Sequence, residues 1–201
     1  MPANQPRIRQ DNRRQPLLDA AAAIFRARGF HASSMRDIAR AAGMLPGSVY
    51  YHFDSKEALL VAVYGEGVRR ISAAVDAAVA RSAGATARLH AACRAHLEVL
   101  LDASDYAQVV IRVLPEDVPA AAADLGAHRD GYEQRFRDLI DALALPADVD
   151  RGHLRRLLLG GLNWARHWYQ PGRDTPARIA DAMLACLRLS APSDPDEDIP
   201  R

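Results

Sequence analysis

Residues 34–57 read Ser-Met-Arg-Asp-Ile-Ala-Arg-Ala-Ala-Gly-Met-Leu-Pro-Gly-Ser-Val-Tyr-Tyr-His-Phe-Asp-Ser-Lys-Glu, and this order decides the fold around it. Ser34 and Asp37 have the spacing of a capping box, in which side-chain oxygens satisfy orphan N–H groups at a helix start. Ile38, Ala39 and Ala42 then form an apolar stripe. Gly43 falls where a helix ends in the left-handed conformation that glycine adopts without a Cβ penalty. Pro46 suits the first turn of a new helix, since the N–H it lacks would be unpaired there anyway. This second helix is short and carries Ser48, Tyr50, Tyr51 and His52, and a further capping pair, Asp54 and Glu57, opens a third helix at once. Helix, tight turn, helix is the helix-turn-helix layout, whose second helix enters the major groove of DNA.

Outward from this stretch the chain reads as helix throughout. Leu17, Leu18, Ala21, Ile24 and Phe25 give one apolar face to a helix over 14–28 that stops at Gly29. Leu59, Leu60, Val63, Val68, Ile71, Val75 and Val79 keep helical spacing from Asp54 to residue 82. At 1.5 Å per residue such a helix is roughly 40 Å long, enough to join a head to a separate body. Further helices are expected near 86–101, 104–114, 118–144, 150–170 and 175–190, with Pro119 in a first turn, where proline is tolerated. No strand-like alternation or repeat occurs. The expected architecture is all-α, a three-helix head followed by a helical ligand-binding and dimerisation body. Its expected parts are a flexible arm at 1–12, a DNA-binding domain at 13–58, a body at 59–190 and a proline-rich, acidic, disordered tail at 191–201.

Composition permits this and excludes other classes. In 201 residues, 25% are charged and 49% apolar, ordinary values for a soluble globular chain with a sizeable core. No apolar run approaches the roughly 18 residues that span a bilayer. The polar, arginine-bearing N-terminus has no hydrophobic segment after it, so no signal peptide is expected and the location is read as cytoplasmic. Cys93 and Cys186 lack metal-like spacing and are read as buried free thiols. The net charge of +1 conceals an asymmetry: residues 1–60 hold nine basic groups against five acidic ones. A basic N-terminal unit on a mildly acidic body fits phosphate binding at one end.

The chemistry of the short helix agrees with that asymmetry. Ser48, Tyr50, Tyr51 and His52 offer hydroxyl and imidazole donors to phosphates, and Lys56 adds a point charge. Arg36 lies early in the preceding helix, and its planar fork suits guanine O6 and N7. Ile38, Val49, Phe53 and Leu59 are expected to be core instead. No metal or catalytic constellation emerges: the seven histidines form no zinc-binding pair, Gly65-Glu66-Gly67 lacks a phosphate-loop context, and neither cysteine has a partner. No cofactor is expected, and the chain reads as a non-enzyme.

Gly29-Phe30, Arg36-Asp37-Ile38-Ala39, Ala42-Gly43, Gly47-Ser48-Val49-Tyr50, His52-Phe53 and Ser55-Lys56-Glu57-Ala58-Leu59 together resemble the DNA-binding domain of the TetR family of bacterial transcriptional regulators. The match is long and gap-free. It implies a dimer on a palindromic operator, with Arg36, Leu45, Pro46, Gly47, Ser48 and Tyr51 at base- or groove-facing positions. It also implies backbone contacts from Tyr50, His52 and Lys56, and the candidate set includes Ser34 at the cap ahead of Arg36. Leu45 departs from the pattern, because the family usually places a Ser or Thr cap there.

A second stretch, Leu157-Leu-Leu-Gly-Gly-Leu-Asn-Trp-Ala-Arg-His-Trp-Tyr169, sets two glycines inside a helix at a cost of about 1 kcal/mol each relative to alanine. That cost is tolerable where another backbone comes close. In TetR-like proteins the last two long helices make the dimer, so 150–170 and 175–190 are the expected interface. Asn163-Trp164 and Trp168-Tyr169-x-Pro171-Gly172 are also similar to regulators of fatty-acid or steroid catabolism that respond to acyl-CoA thioesters. This likeness implies an apolar small-molecule effector, with Trp164 and Trp168 bordering its cavity and Arg166 or Arg112 meeting CoA phosphates. A regulator of the same fold sensing an unrelated lipophilic compound is the alternative, and a helical enzyme or carrier or a nonspecific architectural DNA binder are the readings from other classes.

Overall fold

The computed structural model of the protein describes residues 13–102 and 104–187. The expected arm at 1–12 and tail at 191–201 lie outside the described residues.

Every regular element among the described residues is helical: α1 (Arg14–Arg28), α2 (Met35–Ala41), α3 (Pro46–His52), α4 (Lys56–Ala80), α5 (Ala85–Leu101), α6 (Asp105–Arg112), α7 (Ala122–Asp141), α8 (Arg151–Trp164) and α9 (Pro176–Cys186). Short 3-10 turns occupy Pro115–Asp117, Pro119–Ala121 and Ala165–His167. The helix expected over 118–144 therefore begins only at Ala122, because Pro115 and Pro119 each set a tight turn ahead of it. The helix expected over 150–170 is α-helical to Trp164 and then tightens.

The local signals place the helix ends. Gly43 has φ 63°, and the N–H groups of Gly43 and Met44 donate to the carbonyls of Arg40 and Ala39 at 3.2 and 2.9 Å. These are the paired bonds of a Schellman stop, and they turn the chain from α2 into α3. Ser34 Oγ accepts the Asp37 N–H at 3.2 Å and donates to Asp37 Oδ2 at 2.6 Å. At the start of α4 the cap is Ser55, whose Oγ accepts the Ala58 N–H at 3.0 Å, one residue after the expected Asp54.

The helices pack as two compact units. One groups the described residues of Met1–Arg70 and Ala103–Gly131, with α6 lying against α1. Leu17, Leu18, Phe25, Ile38, Val49, Phe53, Leu59 and Leu60 form its core, as expected for Ile38, Val49, Phe53 and Leu59. Tyr106 ties the unit together: its hydroxyl donates to Asp19 at 2.7 Å and accepts from Gln15 at 3.1 Å, while the Arg70 guanidinium lies 4.1 Å from its ring. Gly65-Glu66-Gly67 acquires a packing role here. A Cβ on Gly67 would lie 2.6 Å from Val110 and 3.0 Å from the Tyr106 carbonyl, and one on Gly65 would lie 2.8 Å from the His128 ring.

The other unit groups the described residues of Ile71–Asp102 and Tyr132–Arg201, where α9 packs on α5 and α8 over Leu89, Leu97, Phe136, Leu158, Leu162 and Leu184. Its buried polar centre is His96, 3% exposed. An amide oxygen only accepts, so His96 Nε2 donates to Asn163 Oδ1 at 3.1 Å, and Nδ1 accepts from the Tyr132 hydroxyl at 2.6 Å. Burial lowers the imidazole from its ordinary 6.5 to about 4, against the Asn163 bond that raises it, so the ring is neutral. Cys93 is buried and its thiol is pushed up to about 12 by burial, whereas Cys186 is exposed on α9, contrary to the buried reading of both cysteines.

Candidate nucleic-acid interface

α3 has one buried residue, Val49, which anchors it to the head. Leu45, Pro46, Gly47, Ser48, Tyr50 and Tyr51 are all exposed, Leu45 to 78%, Tyr50 to 53% and Tyr51 to 68%. A helix held by a single side chain and showing a leucine and two tyrosines to solvent has its apolar area on the wrong side for a free surface. Such a patch marks a contact site. Leu45 provides no side-chain cap, as the departure from the family pattern implies. His52 is half-buried and stands edge-on to Tyr51, with ring centroids 5.6 Å apart.

Arg36 is exposed in the first turn of α2. Asp37 beside it is held below the usual carboxylate range, chiefly by the Ser34 hydroxyl and then by Arg28 and Arg40. Ser34 is thereby engaged in capping α2. Lys56 is also engaged: its Nζ donates to the carbonyls of Phe30 and Ser33 at 2.9 and 2.8 Å and lies 4.3 Å from the Phe30 ring centroid. The lysine clamps the turn between α1 and α2 with two of its three N–H donors.

The candidate ligand residues fall into different units. Arg112 is exposed at the end of α6, where its Nη1 donates to the Arg26 carbonyl at 3.4 Å. Trp164, Arg166 and Trp168 gather where α8 tightens: Trp164 is 62% exposed and stacks on His167 at 4.1 Å, Trp168 is 46% exposed, and Arg166 is half-buried. Gly161 differs from expectation. A Cβ there would lie 2.2 Å from Met183 Cε of the same chain, so the close approach it permits is to α9. The glycine with open space is Gly160, on a face shared with exposed Leu157 and Trp164.

The partnership of α6 with the head lay beyond local sequence reading, because Tyr106 meets Gln15 and Asp19 across 91 and 87 residues of chain. Tyr106 sits in an apolar helical pattern and carries no distinguishing local signal.

Residues 17–63 match the model of bacterial regulatory proteins of the tetR family, and residues 82–190 match that of the tetracyclin repressor-like C-terminal domain. The HTH-type transcriptional repressor KstR2 of Mycobacterium tuberculosis is 30% identical over 187 residues, covering 88% of this chain and 92% of the relative. Its namesake from Rhodococcus jostii is 55% identical over 51 residues, so there the chain spans 25% of the relative's length. Among solved structures, AibR in complex with isovaleryl coenzyme A and operator DNA superposes with a TM-score of 0.74 at 26% identity, covering 87% of this chain and 97% of AibR. No helix among the described residues is long and apolar enough to cross a membrane.

Proposed function

Because the chain belongs to the TetR family of bacterial regulatory proteins, we propose that it is a dimeric, ligand-responsive repressor that grips a palindromic operator with α2, α3 and the start of α4. The observation that carries this reading is the solvent-facing set Leu45, Pro46, Gly47, Ser48, Tyr50 and Tyr51 on a helix with one buried residue. Two such heads related by a two-fold axis meet successive major grooves, about 34 Å apart. Arg36 reads a base edge, Tyr50, His52 and Lys56 hold the backbone, and Ser34 stands at the cap ahead of Arg36. The protein acts in the cytoplasm, where its operator is.

The exposed face of α8, with Leu157, Gly160 and Trp164, together with α9, is the proposed dimer contact. The body at 59–190 takes an acyl-CoA or another apolar effector, a reading supported by the likeness to AibR with its isovaleryl coenzyme A. Trp164, Arg166 and Trp168 border that ligand, and Arg166 or Arg112 meets its phosphates. The effector releases DNA because it binds the two conformations of the protein unequally.

Gel-shift titration against the DNA upstream of its own gene, with and without an acyl-CoA panel, tests the whole. Saturable binding to a palindrome that acyl-CoA reverses supports the reading. Binding reversed only by uncharged lipophiles replaces the thioester, and binding without preference for the palindrome removes the repressor.

A further inference from the structure

A second concave surface of the DNA-binding unit shares no residue with α3. It is a half-open groove of about 410 Å³ between the end of α1, the turn into α2, the last turn of α6 and the 3-10 turn that follows. Its size lies in the range of small-molecule sites, about 300–1,000 Å³. Arg26, Arg28, His31 and Arg112 line it, and the carboxylate among the lining residues is Asp117, whose oxygen already accepts the Leu114 N–H at 2.9 Å. Behind them Phe25 and Val109, 3% and 1% exposed, supply an apolar floor.

The guanidinium groups are positioned by the fold. Arg26 pairs with Asp105 at 2.7 Å, Arg28 stands 3.8 Å from Asp37, and Arg112 reaches the Arg26 carbonyl at 3.4 Å. Arginine in a last helical turn complements the negative end of the helix dipole, which accounts for one cation at each helix end. It does not account for two helix ends and a histidine converging on one volume. Nor does it explain why Arg112 spends its planar fork on a single 3.4 Å bond.

We infer that this groove binds a phosphate-bearing small molecule, with the guanidiniums taking phosphate oxygens and the floor taking an apolar portion. Arginine binds phosphate bidentately, which gives such a site orientation as well as charge. The inference rests on the ligand-responsive reading and adds Arg26, Arg28 and His31 to Arg112 as phosphate-binding residues of this groove. The two walls are bridged by His31 Nε2, which donates to the Asp117 carbonyl at 3.0 Å. Phe30, in the same turn, gives its carbonyl to Lys56. A ligand that parts the His31–Asp117 bridge acts on the turn that carries α2, and therefore on Arg36.

Calorimetric titration of the full chain with coenzyme A and with inorganic pyrophosphate tests this. Both are expected to bind, coenzyme A more tightly because its nucleotide also covers the floor. Replacing Arg28→Gln and Arg112→Gln together should weaken both by at least about tenfold, the equivalent of 1.4 kcal/mol. Arg94→Gln, in the other unit, should leave both unchanged, and melting curves establish that each variant is folded. If Arg28→Gln/Arg112→Gln does not fold, Arg112→Gln alone carries the test. Absence of binding by either probe, or equal binding by wild type and variant, overturns the inference. So does a variant that loses operator affinity while holding coenzyme A at wild-type strength, since the groove then contacts DNA. Wild-type protein that binds neither probe but still shifts its operator leaves the repressor reading standing, whereas failure to shift any DNA removes that reading alone.

Discussion

The ammonium of Lys56 donates to the backbone carbonyl of Ser33 at 2.8 Å, joining residues 23 apart in the chain and fixing the entry to α2 from the start of α4. The residue proposed to meet a phosphate is thus also the clamp of the turn into α2.

Lys56→Ala removes two charge-assisted hydrogen bonds from the Phe30 and Ser33 carbonyls. Stability of the head should fall by about 1–3 kcal/mol, in addition to a loss of DNA affinity. Tyr50→Ala, whose side chain is exposed, should weaken DNA binding alone. Urea denaturation run beside gel shifts separates the two, and an unchanged midpoint for Lys56→Ala would sink the clamp.

Arg36→Ala should relax base preference at one operator position by about 1–3 kcal/mol, whereas loss of a phosphate contact lowers affinity evenly across sequences. Competition between operator and single-base variants measures this. A uniform loss for Arg36→Ala would reassign it to the backbone.

Gly161→Leu must displace Met183, and overpacking of this kind costs about 1–3 kcal/mol. Gly160→Leu meets nothing within 4 Å in its own chain, so its effect should appear in the dimer instead. Sedimentation should show weakened association for Gly160→Leu at a near wild-type melting temperature. Full association in that variant would move the interface off this face of α8.

His96 is buried neutral, with its pKa lowered to about 4 from 6.5, so the unfolded chain binds the extra proton between those values. A lowered imidazole pKa therefore makes stability fall as pH drops through that window and leaves it flat above. Between pH 7 and 5 this single group should cost about 2 kcal/mol. His96→Leu should show a shallower acid loss by that amount, read as urea midpoints at the two pH values. Parallel curves for the two proteins would mean that His96 does not carry the effect.

What sequence determined by itself is the helix-turn-helix and the helix before it. Capping serine, positive-φ glycine, N1 proline and alternation of buried and exposed side chains are local devices. They act within a few residues, and they set α1, α2 and α3 and the exposed face of α3 without reference to distant packing. Local chemistry erred where neighbours compete for one task, as when Ser55 rather than Asp54 caps α4. Tertiary structure alone decided which distant segments share a unit. Tyr106 finds Asp19, His96 finds Tyr132 and Asn163, Gly161 makes room for Met183, and Arg112 joins Arg26 and Arg28 around one groove. Helical periodicity reports that a face is buried without reporting against what. The partner is chosen by long-range fit among side chains of similar apolarity, and that choice leaves no mark on either segment.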